Sequence, residues 1–126
     1  MRHFMAYHNS QKMGYSCIDI PAPQAKTSKN ILGLEGVTVW LIAGEGDSPK
    51  CYYLTSTFIA DKCEQNRYIG EKLNNQISGR GRLLKKTIPI SETPLLKALK
   101  KQSANFVNGF GELKDIMVIK GLQALA

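Results

Sequence analysis

The stretch that decides the fold is Val37-Thr38-Val39-Trp40-Leu41-Ile42-Ala43. It is uncharged and rich in β-branched and aromatic residues, and it ends in the turn-forming segment Gly44-Glu45-Gly46-Asp47-Ser48-Pro49, so it predicts a buried strand followed by a turn. A second run with the character of a strand, residues 51–60, follows at once. Two strands joined by a short loop of glycine and proline form an antiparallel hairpin. The sequence therefore predicts such a hairpin at the centre of the fold.

The alternation of residues along the second strand predicts which of its side chains share a face of the sheet. Side chains alternate between the faces of a sheet along a strand. This rule places four residues on one face, Tyr52, Leu54, Phe58 and Ala60. Their neighbours Tyr53, Thr55, Thr57 and Ile59 then belong to the other face.

The remaining elements are predicted outward from the hairpin. A short strand is expected at residues 3–7, and a helical turn capped by Thr27 or Ser28 is expected to end at Gly33 or Gly36. Residues 83–90 predict a third long strand, with Pro89 at an edge or an end. A helix is expected after Ser91, with an early proline and lysines in its last turn, and a second helix over residues 112–125.

This order of elements predicts the fold class. Few helices fall between strands, which disfavours a doubly wound sheet. We expect an α+β fold with a mainly antiparallel sheet or partly open β-barrel and peripheral helices. At 126 residues the chain fits a single domain, 1–126.

Composition narrows the class of protein. Hydrophobic residues make up 43% of the chain and charged residues 21%, which is typical of a globular protein. No apolar run approaches the roughly 20 residues of a membrane helix, and the N-terminal residues do not resemble a secretory signal. The three cysteines lack a CxxC spacing, which suits a reducing compartment. We therefore expect a cytoplasmic protein that does not contact membranes.

The positive charge is concentrated in one part of the sequence. Residues 67–101 hold nine basic and two acidic residues and so carry the whole formal charge of +7, while the remainder holds eight of each. Such a segment attracts polyanions. The alternative is a solvated face that keeps the protein soluble.

No motif identifies a reaction. The sequence lacks a phosphate-binding GxxxxGK[ST] loop, an HExxH zinc motif and a GxSxG nucleophile motif. Gly44-Glu45-Gly46 joins two predicted strands and opens no helix, so it is interpreted as a turn. His3 and His8 have no cysteine or carboxylate at ligand spacing. We expect no metal site and no cofactor, and the residues favour a binding protein over an enzyme.

Four basic residues are the candidate contacts to nucleic acid: Arg80, Arg82, Lys85 and Lys86. Arginine binds phosphates and guanine edges with two parallel hydrogen bonds. The glycine before Arg80 and the glycine between the arginines predict a backbone that approaches a ligand closely. Lys85 and Lys86 are neighbours on a predicted strand, so one is expected on each face. An exposed polar hairpin turn is the alternative for Arg80-Gly81-Arg82.

Aromatic and polar residues near the N-terminus predict a base-binding pocket. Tyrosine and tryptophan stack on bases while keeping a polar contact. The first strand ends in such residues and leads into a loop that contains more of them, and loops often carry binding sites. The candidates for this pocket are Tyr7, His8, Asn9, Tyr15, Ser16 and Trp40. For each aromatic residue alone, a place in the core is the alternative.

The layout resembles the PUA-like superfamily, which includes the EVE, ASCH and YTH modules. The resemblance is carried by four segments, residues 4–8, 36–44, 52–60 and 105–110. It implies a twisted β-barrel and a pocket for a flipped or modified base, with Trp40, Tyr7 and Tyr15 around the base and Asn9 and Ser16 at its edge. Related modules are fused to HNH-type or McrB-type restriction proteins. The resemblance therefore implies a stand-alone reader, or a component that works with a separately encoded nuclease or motor protein.

Three functions follow as hypotheses. The first is a module that binds DNA or RNA, in its more specific form a reader of a modified or flipped base. The second is a small regulatory protein whose basic segment docks an acidic partner. The third is a nucleic-acid-processing enzyme with an unrecognised site.

Overall fold

The computed structural model describes residues 2–9, 24–46, 50–65, 69–70, 73, 75–91, 93–103 and 109–125. For Asn9 and for residues 80–87 it describes the backbone alone. Within these ranges the structure is a sheet of six strands with two short helices.

The sheet is mixed and strongly curled. Its strands are β1 (His3–Asn9), β2 (Gln24–Thr27), β3 (Thr38–Glu45), β4 (Cys51–Glu64), β5 (Asn75–Pro89) and β6 (Phe110–Leu113), in the spatial order β2-β5-β4-β3-β1-β6. The pair β1–β3 is parallel, and all other neighbours are antiparallel. Curling brings Ala25 of β2 and Phe110 of β6 into one apolar cluster although their strands lie at opposite ends of the order. The predicted α+β fold with a partly open barrel is confirmed.

The strand β3 is buried because each face of the sheet carries a core. The first core contains, among others, Phe4, Val39, Leu41, Ala43, Phe58 and Phe110. The second core contains, among others, Met5, Trp40, Ile42, Leu54, Leu96, Leu99 and Leu122. Alternate residues of β3 therefore enter different cores, which explains why this strand is apolar throughout.

The helix α1 (Pro94–Gln102) begins and ends as its sequence predicts. The Thr93 hydroxyl accepts a hydrogen bond from the Leu96 N–H at 3.2 Å, Pro94 opens the first turn, and Lys100 and Lys101 occupy the last turn. Leu96 and Leu99 pack on the second core. The capping residue and the early proline together explain why the helix starts here.

The predicted helix over residues 112–125 is shorter in the structure. Glu112 and Leu113 belong to β6, and the helix α2 spans Ile116–Leu125. Val118 and Leu122 face the second core, whereas Ile116 and Met117 are exposed. The apolar residues before Asp115 continue the helical spacing although they belong to β6. The predicted helix is too long for this reason.

A β-bulge corrects the predicted faces of β4. Leu41 lies opposite Ser56 and Ile42 lies opposite Leu54, so Thr55 is an extra residue in β4. The Thr55 hydroxyl donates to the Leu41 carbonyl at 3.2 Å. One extra residue reverses the alternation. The prediction of a single face is therefore wrong, because Leu54 lies in the second core, and Phe58 and Ala60 lie in the first.

Two further elements differ from the prediction. Residues 24–27 form β2, and the Thr27 hydroxyl accepts from the Lys29 N–H in a turn instead of capping a helix. The third strand is much longer than expected, because β5 starts at Asn75. Its end at Pro89 agrees with the prediction. No helix in the described residues is long and apolar enough to cross a membrane.

Candidate functional site

Two tyrosines and a lysine meet at one end of the sheet. The rings of Tyr7 on β1 and Tyr52 on β4 lie 6.3 Å apart between centroids, tilted by 34°. The Lys100 ammonium lies 4.5 Å from the centre of the Tyr52 ring. Both tyrosines pack against the second core and are half-buried. The cluster combines stacking groups with a positive charge, which is a combination that binds bases and phosphates.

Backbone hydrogen bonds hold this cluster in place. The Tyr7 N–H donates to the Gly109 carbonyl at 2.7 Å. The Tyr52 N–H donates to the Ser91 hydroxyl, and the Tyr52 carbonyl accepts from the Ile90 N–H, both at 2.9 Å. Because Ile90 and Ser91 lead into α1, these bonds also fix the start of the helix that carries Lys100. The three side chains are therefore positioned by regular structure.

The hydroxyl of Tyr7 sits against β3. A Cβ at Gly44 would fall on the Tyr7 hydroxyl oxygen, so only glycine leaves room for the ring. Burial raises the pKa of Tyr7 to about 12, and Tyr52 and Glu45 add to the rise. The phenol therefore keeps its proton at physiological pH.

Trp40 lies in the second core and is 4% exposed. Its indole N–H donates to Nδ1 of His3 at 3.0 Å, and the two rings are stacked with centroids 6.2 Å apart. A buried indole N–H needs such a partner. The structure thus covers this ring, and a place for Trp40 in a base pocket stays a prediction.

The buried His3 predicts that stability falls in mild acid. Burial lowers the pKa of His3, and a protonated Nδ1 cannot accept the Trp40 hydrogen bond. Above about pH 7.5 both the folded and the unfolded chain hold neutral His3, and this contribution is complete. As the pH falls below 6.5, the unfolded chain binds the proton first, so the free energy of unfolding decreases.

Urea unfolding at pH 7.5 and 5.5, followed by the fluorescence of Trp40, measures this decrease. The His3→Gln variant keeps an acceptor for the indole but does not titrate in this range, so its stability should change less between the two pH values. An equal change in both proteins would show that other groups cause the effect.

The positions of the two candidate arginines in β5 belong to the same face of the sheet as the tyrosines. Arg82 is opposite Thr57, which is in turn opposite Trp40. Directly opposed residues share a face, and Trp40 belongs to the second core, on which Tyr7 and Tyr52 pack. The position of Arg82, and that of Arg80 two residues earlier, therefore belong to this face. The alternative of a hairpin turn for these residues is wrong, because they pair with β4.

Part of this face is exposed to solvent at Ile59. Ile59, directly opposite Arg80, is 49% exposed. Thr57 and Tyr52 are five residues apart on β4, which corresponds to about 17 Å along a strand. The arginine positions and the tyrosine cluster thus share one face of the sheet, which we call the β4 face.

Gly79 has a different role from the one predicted. A Cβ there would fall on the backbone carbonyl of Ile59. This glycine therefore permits a close approach of β5 to β4, whereas the sequence predicts a close approach to a ligand. A second bulge lies beside it, because Asp61 is extra between the pairs Ala60–Gly79 and Lys62–Ser78.

Lys85 and Lys86 lie in an irregular part of β5. Between the pairs Ser56–Leu83 and Leu54–Ile88, β4 advances two residues and β5 advances five. The rule that neighbours point to opposite faces needs regular pairing, so the prediction of one lysine on each face does not apply.

Within the described residues, the basic segment of β5 also lies at an edge. There, β2 pairs with β5 only up to Ser78, and residues 79–83, 88 and 89 pair with β4. Charged residues on an open edge hinder unwanted strand pairing. Edge protection accounts for charge on β5, but it does not account for the lysine stacked on Tyr52.

The other predicted pocket residues lie only partly within the described residues. His8 is half-buried on β1, and the backbone of Asn9 pairs with Gly44. Tyr15 and Ser16 lie outside the described residues. Tyr52 and Lys100 were not among the predicted site residues, and no spacing in the sequence relates them, since strand and helix bring them together from 48 positions apart.

Within the described residues, no group of three or more histidine, cysteine or acidic side chains could hold a metal ion. Comparison with known proteins finds no protein family whose model matches this chain and no curated protein with a matching sequence. The β4 face is therefore the candidate functional site of the described residues.

Proposed function

We propose that this protein binds nucleic acid through the β4 face. The observation that supports this most is the pairing register, which assigns Arg80 and Arg82 to the face that carries Tyr7 and Tyr52. Single-stranded nucleic acids are bound by surfaces that combine cations along the backbone with aromatic rings under the bases. The arginines would contact phosphates, and Lys85 and Lys86 would extend this charge along β5.

A base would stack on Tyr52 in place of Lys100. A cation over an aromatic ring is worth about 0.5–1 kcal/mol at an exposed site and about 2 kcal/mol when desolvated, whereas stacking of a base on an aromatic side chain is worth about 1–3 kcal/mol. A strong stack therefore exceeds the contact it replaces, and the released ammonium becomes available for a phosphate. In the more specific form of the proposal, the stacked base is flipped or modified, as the resemblance to PUA-like modules implies.

Replacement of Tyr52 tests this role. We expect Tyr52→Leu to weaken binding of a fluorescein-labelled single-stranded oligonucleotide by about 5- to 150-fold, the equivalent of one lost stack. The measurement is fluorescence polarisation at fixed salt. The matched control is Tyr53→Leu, because Tyr53 lies opposite Ala43 of the first core and so belongs to the other face. Equal losses in the two variants would contradict the proposal.

A further inference from the structure

A cleft of about 110 Å³ lies between the C-terminal end of α1 and the outer edge of β6. Its apolar wall includes Met5, Leu99 and Leu113, and Lys29, which follows β2, stands on the other side. The cleft is thus the seam where the two ends of the curled sheet approach each other. It is separate from Tyr7, Tyr52 and Lys100, which do not line it.

The edge of β6 presents backbone groups to this cleft. The bond from the Tyr7 N–H to the Gly109 carbonyl makes these residues a hydrogen-bonded pair. In an antiparallel ladder, hydrogen-bonded and non-bonded pairs alternate, so Phe110 and Glu112 direct their N–H and C=O groups away from β1. No other described strand pairs with β6 on that side. The cleft therefore offers donors and acceptors at strand spacing.

The walls of the cleft are held in place before anything binds. The Ser103 hydroxyl donates to the Leu99 carbonyl at 2.7 Å. The backbone of Lys29 donates to the Thr27 hydroxyl at 3.0 Å and accepts from the Asn75 amide at 2.8 Å. A binding site that is already ordered loses little entropy when a ligand arrives.

The size and charge of the cleft select its occupant. Its volume is smaller than the roughly 150 Å³ of a cavity that holds benzene, which favours an aliphatic side chain over a base. The Glu112 carboxylate is paired with Arg2 at 3.0 Å, whereas the exposed Lys29 adds a positive charge at the rim. An acidic group is the complement of that charge.

We propose that this cleft binds an extended peptide, which adds to β6 as a further strand. Backbone bonds to Phe110 and Glu112 hold the peptide, an aliphatic side chain enters the cleft, and an acidic side chain pairs with Lys29. Strand addition of this kind draws affinity from the main chain and specificity from alternate side chains. The partner is therefore a protein with an exposed segment of alternating aliphatic and acidic residues.

Gly111 provides the sharpest test. It lines the cleft, and a Cβ on it would meet no atom within 4 Å, so the side chain of Gly111→Val starts in open space and extends into the cleft. The probe is a labelled, end-blocked peptide of alternating valine and aspartate. We expect Gly111→Val to weaken its binding at least tenfold and Lys29→Gln to weaken it less and to reduce its salt dependence, whereas Lys120→Gln, on the exposed side of α2, leaves it unchanged. Thermal unfolding of each variant confirms that it is folded.

Two peptides with N-methylated amides test the strand addition itself. Methylation of alternate amides on one edge of the peptide removes its bonds to β6, and methylation on the other edge does not. We expect only one of the two peptides to lose binding. The proposal is overturned if the parent peptide does not bind at millimolar concentration, if Gly111→Val binds it as wild type does, or if both methylated peptides behave alike. Oligonucleotide binding by Gly111→Val should be unchanged, which separates this proposal from the function of the β4 face.

Discussion

The Gly79→Ala variant should lose about 3 kcal/mol of unfolding free energy, at the upper end of what overpacking costs. The added Cβ would fall on the Ile59 carbonyl oxygen and lie 2.7 Å from the Ile59 carbonyl carbon and 3.1 Å from the Ala60 Cα. All three atoms belong to the backbone of β4, which is paired on both sides and cannot move as a side chain does. Urea unfolding followed by Trp40 fluorescence measures the loss.

Gly111→Ala is the matched control for this experiment. Gly111 is also a strand glycine, but its surroundings leave the new Cβ in open space. Its stability should stay within about 0.5 kcal/mol of wild type. If both variants unfold at the same urea concentration, the close approach of β5 to β4 at Gly79 is not present in solution.

Neutralisation of Arg80 and Arg82 should give the largest loss of nucleic-acid binding. The logarithm of the affinity falls linearly with the logarithm of the salt concentration. Each phosphate contact contributes about 0.9 to this slope for duplex DNA and about 0.7 for single strands. The double variant Arg80→Gln, Arg82→Gln should therefore reduce this slope by about 1.4–1.8 and weaken binding at low salt. Polarisation titrations across a salt series give both quantities.

The control for this pair removes the same charge elsewhere. Lys114 and Lys120 are both exposed, just before and within α2. Their double replacement by glutamine lowers the net charge equally, so it separates local contacts from the general attraction of a basic protein. A slope reduced equally in both double variants would remove the arginines from the mechanism.

Local signals account for the parts of the fold that the sequence predicts well. The strand β3 is recognisable in the sequence because both of its faces are buried, and a strand of this kind is apolar along its length. The helix α1 is recognisable because Thr93, Pro94 and the final lysines satisfy its ends within the segment itself. In contrast, β2 and β6 have four residues each, and they become strands only through their pairing with β5 and β1. Such pairing leaves no periodic pattern in the sequence.

The candidate site was predictable in its residue types and not in its geometry. Tyr7 was expected in a site because it ends a strand, and Arg80 and Arg82 because of their charge. Their common face depends on the register between β3, β4 and β5, and the bulge at Thr55 reverses the alternation on which a prediction from sequence must depend. The contact of Tyr52 with Lys100 likewise exists only once α1 packs on the sheet.

The most direct test of the central claim is the affinity of the wild-type protein for labelled single- and double-stranded DNA and RNA, with and without modified bases, measured by fluorescence polarisation between about 50 and 200 mM salt. We predict binding at low salt that weakens steeply as salt rises, with a preference for a probe whose bases are available for stacking. Absence of binding to every probe at about 50 mM salt would contradict the proposal and leave the β4 face without a role in nucleic-acid recognition.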